Sequence, residues 1–349
     1  MVKNGQYNLV NIGVEVMGGD LGPKPGVKGA LMALNKTECK ITLIGKEDTI
    51  RKLLKKHSKT DRIEILHADD VVTMSDNPVK SLKSKPSSSI RVAFEALKKG
   101  QIDAVVTPSN TGAVIAAAVY TLGLYSFIKR PAIATLIPRM DEKRPFLLID
   151  AGATPQCDPV NLCDFAVLGS VYYQILLNVP SPRIGLISNG AEEIKGNDLT
   201  RAAFRLLKEK FGDQFKGNVE GRDLLKDIVD VGVCDGFTGN IILKCLEGTA
   251  EFVVEFIKEN LKWHPIAALG LWLAKRHLKR LFYKKLSPSA YGGAPLLGVK
   301  GLTIICHGMA DEFAFRNSIL VAKTFVEKEI HKVIESSFLS PVRKTIETI

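Results

Sequence analysis

Residues 103–113 read DAVVTPSNTGA. An apolar, β-branched run ends in a Ser-Asn-Thr-Gly bend, and a helical pattern follows over 112–124. Such a pattern predicts a strand that hands a loop to a helix. It recurs along the chain. RIGLIS at 183–188 runs into NGAEEIKGN, completing the SNGAEEIKGN loop at 188–197, and VDVGVC at 229–234 runs into DGFTGN at 235–240. A related bend, GNVEGR, occupies 217–222. Glycine lets backbone approach a ligand closely, asparagine offers neutral donors and an acceptor, and a helix start leaves N–H groups free. Four such bends predict a polar, mostly uncharged cleft shaped for phosphate or a similar oxyanion, provided that they converge in space.

Working outward, strands are expected over 9–16, 41–44, 103–107, 132–137, 146–150, 183–188, 229–234 and 302–306. Helices are expected over 25–35, 47–57, 88–99, 112–124, 160–177, 198–211, 240–260 and 311–335. The alternation predicts an α/β fold on a largely parallel sheet, with 1–349 forming a single domain. In such sheets ligands collect beyond the C-terminal strand ends, where the Gly/Asn bends fall. MGGDLGPKPG at 17–26 is not GxGxxG and no GxxxxGK[ST] occurs, which disfavours a dinucleotide site or a P-loop.

Charged residues make up 24% and hydrophobic residues 46% of the 349, the composition of a folded globular chain. Mean hydropathy is +0.08. The six cysteines lie far apart with no CxxC pair, so they read as reduced thiols of a cytosolic protein, mostly small core residues, and no Cys/His spacing fits zinc. The N-terminus MVKNGQYNLV has no signal-like core, and no uninterrupted apolar run is long enough to predict a transmembrane helix. The net charge of +11 is concentrated: no acidic residue occurs between Glu259 and Asp311, a stretch that holds Lys262, Lys275, Arg276, Lys279, Arg280, Lys284, Lys285 and Lys300. Within it, KWHPIAALGLWLAKRHLKRLFYKK at 262–285 places an apolar tip with Trp263 and Trp272 before a basic helix. That pairing fits an anionic membrane surface or an acidic protein partner. A core-facing helix with a dimer contact is the plainer alternative. Nucleic acid lacks any recognised module here.

Asp235 and Asn240 of DGFTGN can orient a substrate, or Asp235 can simply cap a helix. Lys195 of EEIKGN can bind phosphate or polarise a carbonyl, or remain a solvated loop lysine. Asn218 sits in a similar bend, where Arg222 reaches an anion or pairs with Glu220. His307, after the strand LTIIC, can donate to a phosphate or oxyanion, or pack at a helix start. Its neighbour Cys306 would point the other way on a strand, which argues against a Cys–His dyad. Asp20 lines the cleft or caps the first helix.

Nearly the whole chain resembles the bacterial PlsX family of phosphate acyltransferases. The resemblance is carried by VMGGD (16–20), KPSSSIRVA (85–93), NTGA (110–113), FAVLGSVY (165–172), KGN (195–197), GNVEGRD (217–223), CDGFTGN (234–240), YGGAPLLGVKG (291–301) and HG (307–308). It implies a homodimer with a three-layer α/β/α fold like the isocitrate and isopropylmalate dehydrogenases. It also implies a protruding helical hairpin, which 248–286 could form, for peripheral membrane association. The implied reaction converts acyl-[acyl-carrier-protein] and inorganic phosphate to acyl phosphate and free carrier. A downstream membrane acyltransferase then acylates glycerol 3-phosphate.

That chemistry suits the residues. Phosphate is already anionic and a thiolate leaves readily, so the site must chiefly supply proximity and oxyanion stabilisation. No metal or cofactor is required. The expected catalytic set is Lys195, Asp235, Asn240 and His307. The expected phosphate or substrate contacts are Asp20, Asn110, Thr111, Gly112, Asn197, Asn218 and Gly236. Trp263, Ile266, Leu269, Leu271 and Trp272 are the expected membrane contacts. Rival readings are a coenzyme A-dependent phosphotransacetylase, an NAD-dependent decarboxylating dehydrogenase (for which no clear aspartate cluster is present) and a non-catalytic membrane scaffold.

Overall fold

A computed structural model describes residues 2–3, 6–7, 9–55, 57, 60–139, 144–261, 264, 266, 269–270, 273–274 and 292–339. Apart from a short hairpin of β1 (Val2–Lys3) and β2 (Gln6–Tyr7), the strands join one eleven-stranded sheet. In chain order these are β3 (Asn11–Glu15), β4 (Lys40–Gly45), β5 (Ile63–His67), β6 (Ala104–Thr107), β7 (Ala132–Ile137), β8 (Phe146–Ile149), β9 (Ile184–Ile187), β10 (Phe215–Val219), β11 (Val231–Val233), β12 (Ala294–Leu297) and β13 (Leu302–Ile305). Their spatial order is β10-β9-β11-β8-β7-β12-β13-β6-β3-β4-β5.

Successive strand residues serve opposite faces, and both faces are apolar. Leu147 and Ile149 enter one core while Phe146 and Leu148 enter the other. Period-two alternation with hydrophobic residues on both sides demands helices on both sides. The first face carries α1 (Pro23–Leu34), α2 (Glu47–Leu54), α6 (Pro159–Leu177), α7 (Asp198–Phe211), α9 (Glu312–Glu327) and α10 (Ile330–Leu339). The second carries α3 (Pro78–Ser84), α4 (Ser89–Lys98), α5 (Thr111–Leu122) and the start of α8 (Gly236–Leu261). Helix α6 is long and apolar enough to cross a membrane, but 78% of that stretch is buried inside the fold. It is a core helix here.

The sheet is less parallel than the sequence predicts. β13, β6, β3, β4 and β5 form one parallel block, and β8, β11, β9 and β10 form another. β7 and β12 join them through antiparallel pairs, so the blocks run in opposite directions. β12 lies in the Gly- and Pro-rich GGAPLLG segment, a poor strand by propensity. β5 and α3 were likewise absent from the predicted elements. GNVEGR is only partly a bend, because Phe215–Val219 forms β10 with an irregular register between Phe215 and Asn218. The predicted helix 311–335 is two helices, broken where Glu329 takes φ 48°. Lys328 Nζ donates to Ile175 O (2.7 Å) and Asn178 Oδ1 (3.1 Å) there, a tertiary tie that local propensity does not contain.

Candidate active site

Two buried carboxylates shape the loops beside the seam between the blocks. Glu15, fully buried at the end of β3, accepts from Met17 N (2.7 Å), Gly18 N (2.9 Å) and Ser89 Oγ (2.7 Å) on Oε1. Its Oε2 accepts from Thr107 Oγ1 (3.0 Å) and Ser109 Oγ (2.9 Å). One side chain therefore fixes both the MGGD and the TPSN bends. Asp150, fully buried at the end of β8, does the same for residues 151–154. Its Oδ1 accepts from Ile133 N (2.8 Å), Gly152 N (3.0 Å) and Ala153 N (2.8 Å), and Oδ2 accepts from Thr154 N (2.6 Å). Burial pushes this carboxyl up, and the four backbone N–H groups oppose that shift. The net shift is upward, and all four partners are donors, which favours the carboxylate form against that shift. The start of α8 presses on this loop: a Cβ on Gly239 would lie 1.8 Å from Asp150 O. Only glycine permits that approach.

Between these hubs lies a cavity of about 340 Å³. Its lining brings together Thr111 from the start of α5, Gly152 after β8, Asn240 from α8 and His307 after β13. Loops from two opposed blocks reach one cavity because the seam is short; a four-residue strand is only about 13 Å long. His307 Nδ1 accepts from Met309 N (3.1 Å), so the neutral ring carries its proton on Nε2 and presents a donor. Asn110 Oδ1 caps α5 at Ala113 N (3.2 Å), while its Nδ2 donates to Met74 O (2.9 Å). This leaves Thr111 and Gly112 as the first helical N–H groups, the position that favours an anion. Asp20 lies behind His307, its N donating to Gly308 O (2.9 Å). Lys244, one turn beyond Asn240 on α8, also lines the cavity, paired with Glu247 at 2.8 Å. Sequence reading passed over Lys244, although its i, i+4 spacing from Asn240 puts both on one helix face. It passed over Glu15 and Asp150 too, because a buried carboxylate at a strand end has no pattern that separates it from a surface one.

Asp235 is a helix cap: Oδ1 accepts from Thr238 N (2.9 Å) and Oδ2 from Thr238 Oγ1 (2.8 Å). Gly236 is buried against Asp150 and Thr154 rather than open to a ligand. Lys195, Asn197 and Asn218 form a separate group beyond β9 and β10 and do not line the cavity. Lys195 is exposed, with no ion-pair partner among the described residues. No contact ties it to Asp235. Asn197 Oδ1 caps α7 at Thr200 N (2.9 Å). Asn218 Nδ2 donates to Glu192 O (2.8 Å), which leaves its buried Oδ1 without a partner among the described residues. In that orientation Asn218 braces the Lys195 loop and presents an acceptor, not a donor, at its free end. The Gly/Asn bends thus divide between a cavity and a neighbouring edge loop.

Among the described residues no group of His, Cys, Asp and Glu could hold a metal. No disulfide joins any of the six cysteines. Cys306 lines the cavity, but burial pushes its thiol up to about 12 despite a bond to Ser318 Oγ, so it is no nucleophile near neutral pH.

A family model described as fatty acid synthesis protein matches residues 10–333. A protein from Nitratiruptor sp. named phosphate acyltransferase is 42% identical over 328 residues, covering 94% of this chain and 97% of its own. One of the same name from Pelotomaculum thermopropionicum is 42% identical over 331 residues, covering 95% and 96%. The chain belongs to the phosphate acyltransferase family. As a member it is an acyltransferase of fatty acid and lipid synthesis, as the resemblance implied. Among solved structures, a phosphotransacetylase from Streptococcus pyogenes matches with a TM-score of 0.61 over 91% of this chain and 94% of that one, at 16% identity. That likeness concerns the fold, the expected isocitrate dehydrogenase-like α/β architecture.

Proposed function

We propose that this phosphate acyltransferase moves a long acyl chain from acyl-carrier protein to inorganic phosphate. The phosphate oxygen attacks the thioester carbonyl, the C–S bond breaks, and acyl phosphate and the free carrier thiol result. The carrying observation is the seam cavity, where apolar side chains meet neutral donors from three separate segments of the chain. The amides of Thr111 and Gly112, the Asn240 side chain and His307 Nε2–H stabilise the tetrahedral oxyanion. Lys195, unpaired in its braced loop, attracts the phosphate, and Asp235 and Asn197 fix the two helix starts that flank its approach. Asp20 sets the backbone behind His307. Purified protein mixed with palmitoyl-carrier protein and phosphate should release free carrier thiol and an acyl phosphate trapped as a hydroxamate. Turnover with palmitoyl-coenzyme A but not with the carrier would select the phosphotransacetylase-like alternative.

The reading extends to a cytoplasmic homodimer held at an anionic membrane surface, where a membrane enzyme takes the acyl phosphate for glycerol 3-phosphate. It rests on the outer part of α8. From Gly248 to Asn260 that helix is exposed at every position but Val254, and it carries Phe252, Val253, Phe256 and Ile257 in the open. This is the first limb of the proposed 248–286 hairpin. Ile266 and Leu269, 88% and 57% exposed, follow it; Trp263, Leu271 and Trp272 lie outside the described residues. Trp272→Glu should abolish sedimentation with anionic liposomes yet retain turnover on soluble donor. Full liposome binding by the variant would remove the tip from the membrane role.

A further inference from the structure

The seam cavity has a mixed lining. Thr111, Asn240, His307 and the Lys244–Glu247 pair supply polar groups, and Ile133, Leu136, Ala151, Leu243, Ala294 and Ala314 supply apolar ones. These apolar residues come from strands β7 and β12, the loop after β8, and helices α8 and α9, so the apolar lining is shared by several elements rather than lying along one. A second, shallower groove of about 720 Å³ shares Thr111 and Gly152 with the cavity and runs along Ile115, Val119, Leu124 and Pro131 to Lys129 and Arg130. Both cations are exposed and have no ion-pair partner among the described residues. A ligand lying through both spaces would therefore have an apolar end in the cavity, its centre beside Thr111 and Gly152, and its other end at a basic rim.

We propose that the cavity is the acyl-chain pocket and that its wall sets which chain lengths the enzyme accepts. The inference rests on the reading of the chain as an acyltransferase that takes acyl-carrier donors. The volume corresponds to about eleven waters, which an apolar wall holds poorly and an acyl chain displaces. A thioester whose chain occupies the cavity places its carbonyl where cavity and groove share Thr111 and Gly152, beside the Thr111 and Gly112 amides, Asn240 and His307. Its pantetheine arm leaves along the groove toward Lys129 and Arg130, the charge that suits an acidic carrier. One wall atom fits the chain badly: Thr135 Oγ1 is buried and lacks a hydrogen-bond partner among the described residues. An unpaired hydroxyl against methylene groups weakens binding of chains long enough to reach it.

The test is the ratio of kcat/KM on a 16-carbon acyl-carrier donor to that on an 8-carbon donor, because both present the same carrier. Filling the wall with Leu243→Phe or Ala294→Leu should lower this ratio at least tenfold. Both positions are half-buried, so they admit the larger side chain, and a thermal melt checks each fold. Thr135→Val, which keeps the shape and removes the hydroxyl, should raise the ratio at least threefold. Ratios unmoved by all three substitutions in active enzyme would overturn the pocket alone. A wild-type protein that makes no acyl phosphate from either donor would overturn the reading of function, and the pocket with it.

Discussion

Replacing Asp150 by Asn tests whether a buried carboxylate builds one wall of the site. The change keeps the size and shape of the side chain. Its remaining oxygen can still serve Ile133, Gly152 and Ala153, but the new NH₂ faces the Thr154 N–H that now donates at 2.6 Å. Losing a hydrogen bond to a charged acceptor costs about 1.5–3 kcal/mol, and leaving buried donors opposed costs roughly 1–3 kcal/mol more. Relief of the carboxylate's desolvation offsets part of this, which leaves a net loss of roughly 2–4 kcal/mol. An unfolding entropy of about 2 cal/mol/K per residue gives about 0.7 kcal/mol/K for this chain, hence a melting temperature lower by roughly 3–6 °C. The functional cost should be larger. Ala151 and Gly152 line the cavity and Gly152, Ala153 and Thr154 the groove, while Gly236 packs against Asp150 and Thr154, Gly239 against Asp150, and Gly152 against Asn240, so a shift of this loop moves Asn240 with it. A kcat/KM loss of at least tenfold is expected, read beside thermal melts followed by circular dichroism. A melting temperature within about 1 °C of wild type, together with unchanged kcat/KM, would refute the assignment of Asp150 as the hub of this wall.

Lys195→Ala and Asp235→Ala should each cut turnover at least tenfold and differ in stability. Lys195 is exposed and has no ion-pair partner among the described residues, so its loss should leave the melting temperature unchanged, whereas loss of the Asp235 cap should cost about 1 kcal/mol. Wild-type turnover in both would discard their roles. Stability should also fall in acid through the cluster below β9 and β11. Hydrogen bonding from Arg183 holds Asp227 below the ordinary carboxylate range; burial pushes Asp230 up, but Arg183 outweighs it and the net shift is down. Depressed folded values mean that this stability is present above the unfolded value of about 3.9 and is lost as pH falls through the folded values. Arg183→Met should lower the melting temperature at neutral pH and lessen the further fall between about pH 5 and 3. Parallel pH profiles for variant and wild type would count against that cluster as an acid-sensitive element.

The repeating run-bend-helix pattern in the sequence determined the α/β class and the major elements around DAVVT, RIGLIS and VDVGVC. Their signals are local: side-chain period and turn chemistry act over a few residues, and the fold keeps them. The motif resemblance likewise pointed to the family without coordinates. Tertiary structure alone decided that β12 joins two opposed parallel blocks, because GGAPLLG becomes a strand only through the hydrogen bonds β7 and β13 offer it. It alone separated Thr111, Asn240 and His307, which share a cavity, from Lys195, Asn197 and Asn218, which do not. Similar Gly/Asn bends look alike in sequence, and the sheet order sets which of them meet. Glu15 and Asp150 emerged for the same reason: their role consists of backbone N–H groups brought to them by strands and loops distant in the chain.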